Sequence, residues 1–134
     1  MHVQPYLFFE GRCDEALEFY RGAAGAEVLE LVRYKDNPDP GMCKAGMEDK
    51  VMHCGFRIGD TEVWASDGLC HGEPKFHGFS LAITVSAEAE AERLFAALSD
   101  GGQVQTPLAK TFFSPLFGMA HDRFGVLWMV LVGK

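Results

Sequence analysis

The sequence has no long apolar run. Its most hydrophobic stretch, Val126-Leu127-Trp128-Met129-Val130-Leu131-Val132, is too short to cross a bilayer as a helix, so no membrane partner is expected. The start, Met1-His2-Val3-Gln4-Pro5, has neither the basic nor the apolar region of a secretory signal, and the expected location is the cytoplasm. Basic residues are few and scattered: 12 Lys and Arg against 19 Asp and Glu, a net charge of −7, with no Lys/Arg run. That balance argues against nucleic acid or anionic lipid as the main partner.

Several motifs are missing as well. The four cysteines, Cys13, Cys43, Cys54 and Cys70, form no Cys-x-x-Cys pair, which removes a zinc ribbon or a thioredoxin-type site. Without a secretion signal they read as free thiols. Cys70-His71 and His77 lie close together but lack a fourth ligand at zinc-site spacing. There is no Gly-x-Ser-x-Gly elbow and no glycine-rich phosphate loop.

What is present is an alternation of strands and helices in 134 residues, enough for one domain with a real core. Pro5 to Phe9 is an aromatic strand. Asp14 and Glu15 then open a helix, where acidic residues suit the positive end of the helix dipole. Its buried stripe is Ala16, Leu17, Tyr20, Ala23 and Ala24, and Gly25 stops it. Glu27 to Tyr34 follows as a strand, and Asp36 to Asp49 as a long loop of the kind that serves as a lid or a plain connection. Val51–Ile58 and Thr61–Ser66 pair through a Gly59-Asp60 turn.

After an irregular stretch, Asp67 to Gly78, the pattern restarts. Phe79 to Val85 alternates as a strand, and Ser86 is a suitable cap for a helix with Ala91, Leu94, Phe95 and Leu98 inside. Gln103 starts another strand, and Ser114-Pro115 interrupts the next. Asp122 to Gly125 turns the chain into the final run, which reads as a central strand buried on both faces. Leu7 and Ile83, Phe19 and Phe95, Gly25 and Gly101, and Val28 and Val104 are each separated by 76 residues. This is the mark of a duplicated module: strand, helix, three strands. Module one spans about 1–67, a linker about 68–78, and module two about 79–134.

A paired module of this kind resembles the vicinal oxygen chelate superfamily of glyoxalases, extradiol dioxygenases and bleomycin- and fosfomycin-resistance proteins, and within it the PhnB-like branch. The residues that carry the resemblance are Gln4-Pro5-Tyr6-Leu7-Phe8-Phe9 and Glu15-Ala16-Leu17-Glu18-Phe19-Tyr20. With them go Glu48-Asp49-Lys50-Val51-Met52-His53, Gly59-Asp60, Ala65-Ser66-Asp67, and Phe117-Gly118-Met119-Ala120-His121-Asp122 through Trp128. Arg123 stands where relatives often have Pro. The resemblance implies an α+β fold: two βαβββ modules in one domain, a cup-shaped mixed sheet, and a homodimer. Some relatives are labelled demethylubiquinone methyltransferase, but no glycine-rich nucleotide-binding turn follows a strand in this chain.

Metal-using members of the superfamily place four ligands, His, Gln or Glu, on the first and fourth strand of each module. By position those slots fall here at Gln4, Trp64, Ser80 and Met129. Trp does not ligate, Met is soft, Ser alone is poor, and Gln is weak, so no metal or other cofactor is expected at that position. A shifted site using His53 would be the exception.

Strand alternation puts Gln4, Tyr6 and Phe8 on one face and Ser80, Ala82 and Thr84 on another, with Leu7, Phe9, Leu81, Ile83 and Val85 turned to the helices. His53, set against Met52, Cys54 and Phe56, is the best acid–base candidate, and Ser66-Asp67 would either orient it or cap a turn. His121-Asp122 reads as turn chemistry, and Cys54 as an inert buried thiol. The ligand-binding set is therefore Gln4, Tyr6, Phe8, His53, Trp64, Ser66, Ser80 and Met129. Three functions fit it. One is small-molecule binding in an apolar cup. Another is a lyase- or transferase-type enzyme with a shifted or metal-free site using His53 or Gln4. The third is an interaction protein with a packed cup.

Overall fold

The computed structural model describes residues 1–38, 45–70 and 73–133. The chain divides into two compact units, Met1–Pro74 and Lys75–Lys134, with the division inside the expected linker. Each unit is a βαβββ module. The first holds β1 (Tyr6–Phe8), α1 (Cys13–Ala24), β2 (Glu27–Arg33), β3 (Val51–Ile58) and β4 (Thr61–Ser66). The second holds β5 (Leu81–Val85), α2 (Glu88–Ser99), β6 (Gln103–Ala109), β7 (Phe117–His121) and β8 (Leu127–Val132). Their four-stranded sheets have matching orders, β1-β4-β3-β2 and β5-β8-β7-β6. In each sheet the first and last strands of the module pair parallel and the other pairs are antiparallel, so both sheets are mixed.

Alternation sorts the side chains of module one as expected. Leu7 (1% exposed) and Phe9 (0%) are buried, while Tyr6 (36%) and Phe8 (52%) stand on the open face. Cys54, Phe56, Val63 and Ala65 share the buried face with Ala16, Leu17 and Tyr20 of α1. The Tyr20 ring stacks on Phe56 at 5.8 Å and meets Phe9 at 6.1 Å. Full burial of a side chain the size of Leu7 or Phe56 contributes about 1.5–3 kcal/mol. Gly25 ends α1 in the left-handed region at φ 68°, and the Ala26 N–H reaches back to the Tyr20 carbonyl at 3.2 Å.

Four local expectations are corrected. Phe19 is not the counterpart of Phe95. The buried faces of the helices match Ala16, Tyr20 and Ala23 with Ala91, Phe95 and Leu98, one residue short of the spacing shared by Gly25 and Gly101. The N-cap of α2 is Ala87 rather than Ser86, and it makes no side-chain cap bond. β8 is central, between β5 and β7, but only one face is buried: Trp128, Val130 and Val132 lie inside, with Leu127, Met129 and Leu131 half-buried. The loop after β2 begins with a 3-10 turn, Tyr34–Asp36, and residues 39–44 of it, including Cys43, lie outside the described residues.

Two buried aspartates close the modules. Asp122 Oδ1 accepts from the N–H groups of Phe124 (2.9 Å) and Val126 (3.1 Å), and Oδ2 accepts from Trp128 Nε1 (2.8 Å). The reading of His121-Asp122 as turn chemistry therefore holds. Among the described residues no helix is long and apolar enough to cross a membrane.

Candidate functional site

The open face of the first sheet gathers four of the expected residues. Strand register lines up Tyr6, Trp64, Gly55 and Glu30 across β1, β4, β3 and β2. Phe8 pairs with Ser66, and His53 with Val32. Cross-strand partners point to the same face, so Tyr6, Phe8, His53 and Trp64 meet there. The Tyr6 ring lies 4.9 Å from Phe8, 5.6 Å from His53 and 6.5 Å from Trp64.

His53 is tethered at both ring nitrogens. Nδ1 is 3.0 Å from the Tyr6 hydroxyl, and Nε2 is 3.4 Å from Glu30 Oε1. With Nδ1 accepting from Tyr6, Nε2 carries a proton toward Glu30, so the three groups form a Tyr–His–Glu chain on the open face. Glu30 and Glu62 went unmarked in the sequence, where they look like ordinary charged strand residues. Trp64 Nε1 donates to Glu62 Oε2 at 2.7 Å. A Cβ on Gly55 would lie 3.2 Å from Glu62 Oε2 and 3.4 Å from Glu30 Oε1, so both carboxylates lean over this glycine. A lone glycine inside a strand was the available signal.

Asp67 does not orient His53. Its Oδ1 accepts from the N–H groups of Gly11 (3.0 Å) and Cys13 (2.8 Å), and Oδ2 from that of Val51 (2.7 Å). It closes the β1–α1 turn and the start of β3. Ser66 Oγ accepts from the Gly68 N–H at 3.1 Å. Cys54 and Cys13 are buried with their sulfurs 3.7 Å apart. The hydrogen bond to Cys54, then burial, push the Cys13 thiol well above the ordinary thiol range, which keeps it protonated and inert.

Beside this aromatic group lies a concavity of about 430 Å³, lined by Tyr6, Phe8, Tyr34, Met52, Ser66 and Leu69 together with Glu10 and Gly68. Three of the expected ligand residues, Tyr6, Phe8 and Ser66, line it; His53 reaches it through Tyr6. A second concavity of about 410 Å³ lies between α1 and β2, but its rim of Asp14, Glu18, Arg21 and Glu27 is charged and contains none of the expected residues. Gln4 precedes β1 and is half-buried. Ser80 and Met129 belong to the second module, where Met129 pairs with Ala82 and Met119 on the half-exposed face of β8.

Tyr34 forms one wall, and its hydroxyl donates to the Gly68 carbonyl at 2.6 Å. Burial pushes its phenol above the usual tyrosine range. A raised folded value means that the neutral form stabilises the fold at pH below the ordinary value of about 10 and that this contribution is lost as pH rises through the raised value. Tyr34→Phe is expected to cost about 1 kcal/mol at pH 8 for the lost bond. In urea denaturation the gap to wild type should narrow at pH 10.5; a constant gap would contradict this role.

On the resemblance, Trp64 and Met129 would stand at two of the superfamily's four ligand positions, and neither offers the oxygen or imidazole donor that such sites use. Among the described residues no group of three or more His, Cys, Asp or Glu side chains is placed to hold a metal ion. His71, part of the Cys70-His71-His77 grouping, lies outside the described residues.

The family model described as 3-demethylubiquinone-9 3-methyltransferase matches residues 1–131. The chain belongs to this family. Protein YjdN of Escherichia coli strain K12 is 30% identical over 142 residues, covering 100% of this chain and 97% of that protein. Protein PA1353 from Pseudomonas aeruginosa is 38% identical with a TM-score of 0.86, over 99% of this chain and 98% of that one. A putative 3-demethylubiquinone-9 3-methyltransferase, the PhnB protein from Bacillus cereus, is 29% identical with a TM-score of 0.81, over 99% and 100%. The fold extends to the fosfomycin resistance protein FosX from Listeria monocytogenes, at 13% identity and a TM-score of 0.63, over 100% and 93%. The chain is thus a PhnB-like member of the family with the vicinal oxygen chelate fold of two βαβββ modules.

Proposed function

We propose that this chain binds a small molecule with an apolar body in the concavity on the open face of its first module, without the divalent metal of its superfamily. One observation carries the reading: the cavity of about 430 Å³ has an apolar, aromatic wall with few polar groups, which is the usual build of a small-molecule site. The rings that would fill a packed cup are instead open, with Tyr6 36% and Phe8 52% exposed. Methyl transfer, the activity in the family's description, finds little support here: the β1–α1 turn, Phe9-Glu10-Gly11-Arg12, holds one glycine and lacks the glycine-rich form of a nucleotide-binding turn.

A thermal-shift screen with small aromatic and amphipathic compounds tests this, because a ligand bound to the native state must raise Tm. Hits are expected for wild type and are expected to weaken roughly tenfold in Phe8→Ala, since an aromatic wall contributes about 1.5 kcal/mol of contact. Equal responses in both proteins would place binding elsewhere.

A second reading is a metal-free enzyme using the Tyr6–His53–Glu30 chain, in which His53 exchanges a proton with the ligand through Tyr6. His53→Ala separates the two. It leaves the cavity wall intact, so retained binding with lost turnover supports catalysis, and unchanged behaviour of both removes His53 from the site.

A further inference from the structure

We infer that the ligand of the first module's cavity carries a hydrogen-bond donor, an N–H or hydroxyl on an aromatic body, received by the Tyr6 oxygen. The inference rests on the proposed reading of that cavity as a ligand site and adds the polarity of the ligand's functional group. It starts from Glu30 on β2. Glu30 Oε1 lies 3.4 Å from His53 Nε2. A carboxylate has lone pairs but no proton to give, so in the neutral ring the proton sits on Nε2. The other ring nitrogen is then an acceptor. Nδ1 is 3.0 Å from the Tyr6 hydroxyl, so Tyr6 spends its only hydroxyl proton on His53. Tyr6 lines the cavity, and what its oxygen has left for a ligand there is lone pairs.

Tyr34 repeats the arrangement. Its hydroxyl proton goes to the Gly68 carbonyl at 2.6 Å, and it too lines the cavity. The two phenols are close enough that, after burial as the largest cause, Tyr6 is among the groups that push Tyr34 above the usual tyrosine range. On the same open face the Trp64 N–H is taken by Glu62 Oε2 at 2.7 Å. Ser66 accepts from the Gly68 N–H at 3.1 Å, and a hydroxyl pairs with either kind of group. Discrimination therefore lies with the tyrosines. An acceptor-only group set against Tyr6 meets lone pairs and gives up its bond to water without replacement, which is how a site rejects a ligand of the right shape. His53 and Glu30 are positioning residues: they act through Tyr6 by fixing where its proton points.

Indole and benzofuran share one shape, with and without an N–H, and acetophenone offers an acceptor alone. The three are titrated at pH 8 and followed by methyl NMR. Indole should bind wild type at least about fivefold more tightly than benzofuran, as expected for one net hydrogen bond. Tyr6→Phe keeps the ring and should bring the pair within about twofold. Glu30→Gln offers His53 a donor as well as an acceptor, so the ring proton can move to Nδ1 and release the Tyr6 hydroxyl. Acetophenone should then gain about threefold while indole loses as much, whereas a merely structural role would move all three probes together. Imidazole 15N spectra of the ligand-free protein read the tautomer directly and should show the His53 proton on Nε2. A proton on Nδ1, or equal affinity for indole and benzofuran with both shifting Met52 and Leu69, would overturn the donor inference and leave small-molecule binding standing. If no probe shifts Met52 or Leu69, both fall.

Discussion

Replacing Asp67 by alanine is expected to cost about 4 kcal/mol and lower Tm by roughly 10–20 °C. The buried carboxylate accepts three backbone N–H groups, from Gly11, Cys13 and Val51, and so joins the end of β4 to the starts of α1 and β3. The N-cap of α1, Arg12, makes no side-chain cap bond, so this remote aspartate serves the first helical N–H. Alanine would leave three buried donors unsatisfied, each costing about 1–3 kcal/mol before relaxation. Asparagine keeps one acceptor oxygen and turns an NH₂ toward the remaining donors, so about half the loss is expected. Urea denaturation of the three proteins measures this. An Asp67→Ala protein within 1 kcal/mol of wild type would mean that water replaces the carboxylate.

The second large effect is expected at Gly102→Ala. A Cβ there would run into the His121 carbonyl oxygen and lie 2.8 Å from the Asp122 carbonyl carbon and 2.9 Å from its Cα. These are backbone atoms at the point where β6 and β7 begin to pair, at Gln103 and His121, so no side-chain rotation relieves the contact. A cost of about 3 kcal/mol is expected, the upper end of ordinary overpacking, because strand separation is the available relief. Calorimetric Tm together with amide exchange at Val104 and Ala120 checks it, and unaltered protection at both would contradict the mechanism.

The strands were legible because one face of each sheet is buried: Leu7 and Phe9 against Tyr6 and Phe8 is a pattern that only alternation produces. The duplication was legible from Gly25 and Gly101, both in the left-handed region at φ 68° and 78°. The helices hid a one-residue slip, since Phe19 and Tyr20 are both aromatic and only packing shows that Tyr20 faces the core. The role of Asp67 was hidden because its partners Gly11 and Cys13 are 56 and 54 residues away in sequence. Glu30 and Glu62 were hidden for a different reason: exposed acidic residues on strands are common, and only the absence of a side chain at Gly55 lets them converge. Strand alternation alone places Tyr6 and Phe8 on one face, whereas Glu10 and Tyr34 come beside them in the concavity only once the chain is folded.

The location of binding is the central claim, and methyl NMR tests it most directly. Protein labelled at Met and Leu methyls, titrated with any compound that raises Tm, should show shifts at Met52 and Leu69, which line the aromatic cavity. Leu17 and Leu31 line the charged concavity between α1 and β2 and should stay unmoved. Shifts at Leu17 and Leu31 with Met52 and Leu69 silent would contradict the proposed site.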